Sequence, residues 1–492
     1  MRSPIQKVVI LGASSAGLLT AVALKHYFPS LHVSLLYSQK HAPIGVGEST
    51  TAWFPQFLHD HLQIPHQEFY QAVSPIWKLG IRFEWGQPSQ THFNYTFDRQ
   101  LAYDPPDLTR STGYYCMYDM QQASEFSILM DKQHAPIWVD SNGKLRAVTE
   151  GFGYHLGIDE LLNFLSEKST QLKIDSQVLE VLDAHRDEQG NIEYLICENG
   201  VKIAADLFID CSGFQSKLLG GILQEPFISY NHRLFCDTAV TGHWQRESPI
   251  LPFTTVTTMN SGWRWRIDLH DRVSFGYVYS SQFCTVEQAI QELLAVTPLD
   301  PADLKTIHFR SGRYQNFWVN NVIAIGNAGG FVEPLESTGQ HMIAETILQV
   351  MLALQDSHLC PHPKLIQTVN TYIGRLWDEI CNFLALHFKF NQMRQTPFWQ
   401  HCQQETTLGE AQDIVEMYQM VGVCRALSHL MPPSSIFEVD GYLTLLCGQQ
   451  LAVQNLADIT SSELREWSDY RQRLRQKLQG SLPTHQALKI RG

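Results

Sequence analysis

The chain has 492 residues, enough for about three domain-sized units of roughly 150 residues each. Hydrophobic residues make up 44% of it, which supports a large core and excludes general disorder. The formal net charge is −13, from 36 Lys and Arg against 49 Asp and Glu, and this excess of acid argues against sequence-independent binding to nucleic acid or to anionic lipid.

Ten cysteines are scattered along the chain without a Cys-x-x-Cys pair, so neither a zinc cage nor a disulfide framework is indicated. Cys197, Cys236 and Cys447 lie in apolar surroundings, which is typical of reduced core cysteines in a cytosolic protein. No signal peptide precedes the first predicted strand, and no apolar run reaches about 18 residues. We therefore expect a soluble cytoplasmic protein without a membrane span and without a metal site.

The chain opens with a predicted buried strand at residues 7–11, a glycine-rich turn and a helix. The turn reads Gly-x-Ser-x-x-Gly, a degenerate dinucleotide fingerprint whose first glycine permits a tight turn and whose last permits close packing of helix on strand. A second strand ends at Tyr37, where a ribose-binding acid would be expected. This βαβ pattern predicts a nucleotide site at Gly12, Ser14, Ser15, Ala16, Gly17 and Tyr37.

Two further segments suggest a site. The loop at residues 43–50 is rich in glycine and hydroxyl groups and can bring several backbone N–H groups to one point. Lys78 then lies in a predicted strand over residues 77–85, between aromatic and aliphatic neighbours. It is either a solvated strand lysine or a desolvated, reactive amine.

The middle of the chain predicts a return to the first sheet and then a second sheet. Residues 205–213 form a strand ending in a turn, and a period of two around residues 263–281 predicts antiparallel strands. From about residue 340 onward the pattern is helical. The Arg- and Lys-rich stretch at residues 464–478 is typical of a solvated helix face rather than a nucleic-acid patch.

Residues 322–354 predict a buried strand, a tight turn and an apolar helix. Ser337 and Thr338 are favoured types at a helix start, where backbone N–H groups can seat an anion. Glu336 lies at the edge of this seat. The alternative to an anion site is that this strand, loop and helix form an ordinary packing unit in which the carboxylate of Glu336 is exposed.

Taken in order, these motifs resemble the flavin-dependent tryptophan halogenases. The similarity runs from the first strand to about residue 345 and continues more weakly through residues 396–399 and 435–449. It is carried by the N-terminal fingerprint, Gly45-Val-Gly-Glu-Ser-Thr50, Lys78-Leu-Gly-Ile-Arg-Phe83, Asp210-Cys-Ser-Gly-Phe214, Gly262-Trp-x-Trp-x-Ile267, Gly276-Tyr-Val-Tyr-Ser-Ser281 and Gly326-Asn-Ala…Glu333-Pro-Leu-Glu-Ser-Thr-Gly339.

The resemblance implies an α/β fold in which an FAD-binding Rossmann-like module is interleaved with a mostly antiparallel-sheet substrate module. A helical C-terminal region would cover the substrate pocket. The three parts are expected at 1–75, 150–225 and 315–355 for the FAD module, at 76–149 and 226–314 for the substrate module, and at 356–492 for the helical region.

The resemblance also implies the chemistry. The family uses reduced FAD, O₂ and chloride or bromide to make hypohalous acid, and a separate NAD(P)H flavin reductase supplies the FADH₂. The acid would reach Lys78 through a tunnel, as a haloamine or hydrogen-bonded to the amine. Glu336 would stabilise and deprotonate the ring cation, with Ser337 positioning it. Whether the enzyme forms a homodimer is open.

Further residues receive roles by the same resemblance. Thr338 and Gly339 would seat the halide, Trp263 and Trp265 would shield the flavin, and Tyr95, Phe97 and Trp399 would line the substrate pocket. The remaining flavin contacts would be Gly45, Val46, Gly47, Glu48, Ser49, Asn327 and Ala328.

Two departures from the family pattern stand out. Asp268 replaces the proline that ends the Trp-x-Trp-x-Ile signature, and Tyr37 replaces the ribose-binding acid, so we expect weaker retention of FAD. The C-terminal stretch at residues 404–434 has only Tyr418 in place of the paired tyrosines that grip free tryptophan. This predicts indole, a substituted indole or an indole within a larger molecule as substrate. A flavin monooxygenase and a non-catalytic flavin-binding protein are the alternatives.

Overall fold

The computed structural model describes residues 4–38, 48–101, 104–432 and 434–491. The predicted flavin contacts Gly45, Val46 and Gly47 lie outside these residues. The strands are β1 (Lys7–Leu11), β2 (His32–Tyr37), β3 (Glu48–Ser49), β4 (Ile76–Lys78), β5 (Gly80–Glu84), β6 (Phe93–Thr96), β7 (His134–Val139), β8 (Leu145–Ala147), β9 (Gly153–Leu156), β10 (Asp175–Val178), β11 (Val181–Arg186), β12 (Ile192–Cys197) and β13 (Lys202–Ala204). They continue with β14 (Leu207–Asp210), β15 (Phe227–Ser229), β16 (Thr238–Gln245), β17 (Thr254–Met259), β18 (Gly262–Asp268), β19 (Arg272–Tyr279), β20 (Lys305–His308), β21 (Gly312–Tyr314), β22 (Trp318–Val319), β23 (Val322–Ala324), β24 (Gly330–Phe331) and β25 (Ser481–Pro483).

The helices are α1 (Ser15–Tyr27), α2 (Trp53–Gln56), α3 (His66–Val73), α4 (Thr112–Cys116), α5 (Glu125–Lys132), α6 (Ile158–Gln171), α7 (Val286–Leu294), α8 (Thr338–Asp356), α9 (Pro363–Phe390), α10 (Pro397–Glu405), α11 (Ala411–Val421), α12 (Glu438–Gly448), α13 (Ser461–Lys477) and α14 (Thr484–Arg491). Short 3₁₀ and π turns connect them.

The first sheet is the predicted nucleotide-binding sheet. Its strand order is β10-β2-β1-β14-β23-β22, parallel except for the edge strand β22. The central strands are apolar runs buried on both faces, as a parallel sheet covered by helices requires. Helices α1 and α8 pack together beside this sheet.

The second sheet has the order β20-β16-β19-β18-β17-β5-β6 and is antiparallel except for the β17–β5 pair. The α/β class, with a mainly parallel and a mainly antiparallel sheet, is therefore confirmed. The strand predicted over residues 77–85 is instead two strands in different sheets. They separate because β4 pairs with β9, whereas the backbone N–H of Leu79 turns away to the carbonyl of Pro252 and β5 joins β17 and β6.

A small sheet, β3-β9-β4, brings distant segments together. In it Lys78 lies opposite Gly153, and Ser49 lies opposite His155. Helix α9 starts with Pro363 in its first turn and is capped by the side chain of His362, and its inner face is buried throughout its second half. Within the described ranges, none of the helices combines the length and the apolar character needed to cross a membrane.

Candidate active site

A cavity of about 940 Å³ lies at the carboxyl ends of the parallel strands. The residues that follow β1, β2, β14 and β23 form part of its wall. This edge is where a parallel sheet of this type binds nucleotides. Of the predicted flavin contacts, those that line it are Gly12, Ser14, Ser15, Ala16, Tyr37, Glu48 and Asn327.

Three predicted contacts lie behind the cavity wall. A side chain at Gly17 would come within 1.8 Å of the carbonyl oxygen of Gly12, so this glycine serves helix–strand packing. The carbonyl of Ala328 accepts a hydrogen bond from Ser216 at 2.7 Å. The hydroxyl of Ser49 accepts a hydrogen bond from Ser337 and contacts the hydroxyl of Thr254 instead.

The cavity has polar groups that suit a large ligand. Trp265 and Gln340 line the cavity, and the indole nitrogen of the first and the amide oxygen of the second are buried without a hydrogen-bond partner among the described residues. The start of α1 has no side-chain cap, so its first N–H groups can meet a phosphate. At the Tyr37 end the ion pair between Lys217 and Glu180 (2.9 Å) also lines the wall. Sequence analysis missed this pair because neither residue belongs to a recognisable motif.

Lys78 is wholly buried, which excludes the solvated alternative. Its Nζ donates a hydrogen bond to Oγ of Ser337 at 2.8 Å and lies 5.0 Å from the ring centroid of Phe97. Burial lowers the pKa of Lys78 to about 7, against the opposing effect of Glu336. The amine therefore exchanges its proton near neutral pH, as a reactive lysine must.

Ser337 does not cap helix α8, although its residue type favours that role. Its backbone lies in the left-handed region (φ 59°), and its side chain makes no cap bond. The hydroxyl instead accepts from Lys78 and donates to Oγ of Ser49 at 3.0 Å. A strained residue whose side chain is committed to a buried lysine is typical of a functional turn.

Glu336 is buried beside a histidine that sequence analysis did not single out. Its Oε1 lies 2.7 Å from Nε2 of His387, and Nδ1 of the same ring lies 3.1 Å from the carbonyl oxygen of Phe383. Both side chains are almost fully excluded from solvent. No local signal marks His387, because it lies inside a long apolar helix and meets Glu336 only through folding.

The turn at residues 334–339 has two differently occupied sides. Pro334 and Gly339 line the 940 Å³ cavity, whereas Glu336 and Ser337 turn to His387 and Lys78. Thr338 is buried at the first position of α8. The predicted amine and carboxylate are therefore brought to one place, behind the wall of the predicted flavin cavity.

The two tryptophans of the Trp-x-Trp segment have different surroundings. Trp263 is buried and donates its indole N–H to Glu333 at 2.6 Å, and burial raises the pKa of that carboxyl to about 8. Trp265 lines the 940 Å³ cavity. Its ring lies over Gly276, and a Cβ added to that glycine would be 1.8 Å from the ring. Only Trp265 is positioned to touch a ligand in this cavity.

The three predicted substrate-pocket residues also differ in place. Phe97 lies against Lys78 and Gly153. Tyr95 packs on Phe383, and its pKa is raised by burial and by the charge of Glu336. Trp399 is fully buried against Trp85 and Phe388 and donates its N–H to the carbonyl of Met259, so core contacts occupy its ring.

A second cavity of about 720 Å³ lies on the face of β9 opposite to the Lys78 side chain. Phe152 and Tyr154, which flank the cross-strand partner of Lys78, line it on one side, and His341 of helix α8 lines it on the other. Three carboxylates also line it, and none of the described lining residues is Lys or Arg. The carboxylates are those of Asp60, Glu150 and Glu345.

Comparison with known proteins identifies the family. The family model for tryptophan halogenase matches residues 7–462. The chain is 30% identical to tryptophan 7-halogenase RebH of Lentzea aerocolonigenes over 447 residues, 85% of this chain and 83% of that one. It is 31% identical to tryptophan 6-halogenase SttH of Streptomyces toxytricini over 427 residues, 81% and 80% of the two chains.

A solved structure supports the same assignment. The crystal structure of MibH, a lathipeptide tryptophan 5-halogenase, superposes with a TM-score of 0.90 at 31% identity and covers 99% of this chain and 94% of that one. The fingerprint, the flavin-sized cavity and the match over nearly the whole length lead to one conclusion. The chain belongs to the tryptophan halogenase family and is an FAD-dependent halogenase, which uses FADH₂, O₂ and halide.

Proposed function

We propose that the arene is halogenated between Lys78 and Glu336. The observation that carries this proposal is the buried contact of Lys78 with Ser337, the residue next to Glu336. Bound FADH₂, held by the residues that line the 940 Å³ cavity, supplies with O₂ the oxidising power that converts halide into hypohalous acid. The protein then has to position that oxidant and remove the ring proton.

Each buried group has a distinct task in this proposal. The Lys78 amine holds the electrophilic halogen, as a haloamine or by a hydrogen bond to hypohalous acid, while the Glu336 carboxylate opposes the positive charge on the ring and accepts its proton. Thr338 and Gly339 begin helix α8, where N–H groups can bind the halide. The oxidant would pass the turn at residues 334–339, which lines the 940 Å³ cavity on one side and contacts Lys78 on the other.

The contact with His387 supports the role of Glu336 and yields a prediction. The carbonyl of Phe383 can only accept a hydrogen bond, so Nδ1 of His387 carries a hydrogen. A second hydrogen then lies between Nε2 of His387 and the carboxyl group of Glu336. We expect His387→Leu to lower kcat about tenfold or more, because Glu336 loses its buried partner. His387→Gln, whose amide can still donate, should recover part of the rate. Equal rates in both variants would contradict this role.

We propose an indole with a neutral or cationic tail as substrate. The 720 Å³ cavity, on the other face of β9 from Lys78, has three carboxylates and no described Lys or Arg in its wall, so a substrate carboxylate that extended to it would be repelled. Tyr418, the one tyrosine in the stretch where relatives grip the amino-acid end, is buried and contacts Cys447. An indole within a larger molecule is a further candidate, since the chain is similar to a lathipeptide tryptophan 5-halogenase.

The test is a direct assay with a flavin reductase, FAD, NADH and bromide or chloride. Indole, tryptamine and tryptophan are supplied in parallel, and halogenated product is measured by mass. We expect product from indole and tryptamine, with kcat/KM for tryptamine about tenfold or more above that for tryptophan because like charges repel in the cavity. A preference for tryptophan would contradict the substrate class, and hydroxylated product without halogen would support the monooxygenase alternative.

We further propose the module division given above and a cytoplasmic location. In support, the strands of the six-stranded sheet and those of the seven-stranded sheet come from the expected segments, whereas the small sheets β3-β9-β4, β15-β21-β24 and β25-β7-β8 join segments of different modules. All ten cysteines are free, as is typical of a reducing compartment.

A further inference from the structure

One position in the 940 Å³ cavity calls for an acid that β2 does not supply. A Rossmann-type sheet usually carries Asp or Glu at the end of its second strand, where the carboxylate accepts a hydrogen bond from a ribose hydroxyl. Here β2 ends at Tyr37, and residues 37–47 contain neither Asp nor Glu. Among the described residues that line the cavity, only Glu48 and Glu180 carry a carboxylate.

The pairing of strands brings Glu180 to the end of β2. Strand β10 runs parallel to β2, with Val178 opposite Tyr37. The backbone N–H of Leu179 then donates to the carbonyl of Tyr37 at 3.0 Å. Because parallel strands end at the same edge of a sheet, Glu180 reaches the cavity beside Tyr37, and both residues line it. The neighbouring strand therefore offers the carboxylate that β2 lacks.

Glu48, the other acid in the wall, is bonded to a different part of the cavity. Its carboxylate accepts a hydrogen bond from Gln340 of helix α8 at 3.2 Å. The same amide group donates to Ser15, the first residue of α1, also at 3.2 Å. Glu48 is thus tied to the starts of α1 and α8, whereas Glu180 is tied to the end of β2.

The carboxylate of Glu180 is fixed against the wall by an ion pair. Nζ of Lys217 lies 2.9 Å from Oε1 of Glu180, whose side chain is 12% exposed, and Lys217 lines the cavity too. A carboxylate has about four acceptor positions, so Glu180 can keep Lys217 and still accept from the hydroxyls of a ribose. Hydrogen bonds to an ionised acceptor are about twice as strong as those to a neutral one.

We propose that Glu180 binds the adenosine ribose of FAD in place of an acid at the end of β2, and that Lys217 positions its carboxylate. The inference is independent of the roles proposed for Lys78 and Glu336. It also offsets the weaker retention of FAD that Tyr37 predicts, because the ribose keeps a charged acceptor.

The test compares FAD with an analogue whose adenosine lacks the 2′- and 3′-hydroxyl groups. Dissociation constants of both oxidised dinucleotides are measured by titration calorimetry for the wild type and for Glu180→Leu. Because the bonds are to a charged group, we expect the wild type to bind FAD about ten- to a hundredfold more tightly than the analogue. Glu180→Leu should lose this factor for FAD and bind both dinucleotides equally. Glu180→Gln, whose amide oxygen still accepts, should lie between the two.

Two further variants separate ribose binding from loss of structure. Lys217→Met leaves the carboxylate of Glu180 in place without its anchor and should weaken FAD binding by a smaller factor, about threefold. Glu225→Leu removes another half-buried carboxylate, one that accepts from Asn316 and does not line the cavity. It should keep the full preference for FAD over the analogue. The melting temperature of each variant checks that it is folded.

Three results would overturn the inference. The first is equal affinity of the wild type for FAD and the analogue. The second is a Glu180→Leu variant that prefers FAD by the wild-type factor. The third is an equal loss of affinity for both dinucleotides in Glu180→Leu, because the residue would then support the cavity wall and not the ribose.

Discussion

Replacement of Lys78 by methionine is expected to abolish halogenation and to leave flavin binding intact. Methionine fills the buried volume of the lysine stem but has no amine to hold the halogen. Because acid–base and electrostatic groups of this kind contribute factors of about 10² to 10⁴, product formation should fall about a thousandfold. The flavin cavity lies on the other side of the turn at residues 334–339 and should be unaffected. The measurement is halogenated indole by mass, together with FAD affinity.

Two control variants define this result. Lys202→Met removes an exposed lysine and should change nothing. Lys78→Arg keeps a cation that does not lose its proton near neutral pH, so it tests whether a neutral amine is needed. Unchanged halogenation in Lys78→Met would remove the lysine from the mechanism.

Glu336→Gln is expected to reduce kcat about 10²- to 10⁴-fold, the range for loss of a general base. Glutamine has nearly the same shape and can still meet His387, so the fold should persist. It bears no charge to oppose the ring cation and is a poor proton acceptor. NADH oxidation should continue, so the informative quantity is halogenated product per NADH consumed.

An isotope effect would distinguish loss of the base from loss of substrate binding. With indole deuterated at the ring carbons, the variant should show a kinetic isotope effect larger than that of the wild type, because removal of the ring proton becomes limiting. Glu292→Gln, which alters a carboxylate bonded to Tyr277 outside the site, is the matched control. A wild-type rate in Glu336→Gln would exclude the carboxylate as base.

Much of the site could be predicted because its chemistry lies in short local patterns. Gly12 and the turn after β1 carry a signal that depends on neighbouring residues alone, and most of the residues named there do line the flavin cavity. The spacing of Met342, Ile343 and Ile347 likewise predicted helix α8, and these residues are buried in it. Local sequence patterns therefore predicted which segments form the site, but not which distant residues each segment contacts.

The partners depend on contacts between distant segments. His387 lies 51 residues from Glu336, and Ser49 lies 205 residues from Thr254, so no sequence window contains either pair. The weak motif around Trp399 likewise carries no information on its neighbours, and in the fold its ring packs against Trp85 and Phe388.

By itself the sequence determined the class of fold, the cofactor and the chemical types of the two central groups, since glycine spacing, apolar periodicity and ordered motifs are properties of neighbouring residues. Tertiary structure alone decided that Lys78 is desolvated, that Ser337 bonds it instead of capping a helix, and that three carboxylates line one cavity of about 720 Å³. The reason is physical. Desolvation, hydrogen-bond direction and the field in a cavity depend on what surrounds a group in space, and folding brings those surroundings from every part of the chain.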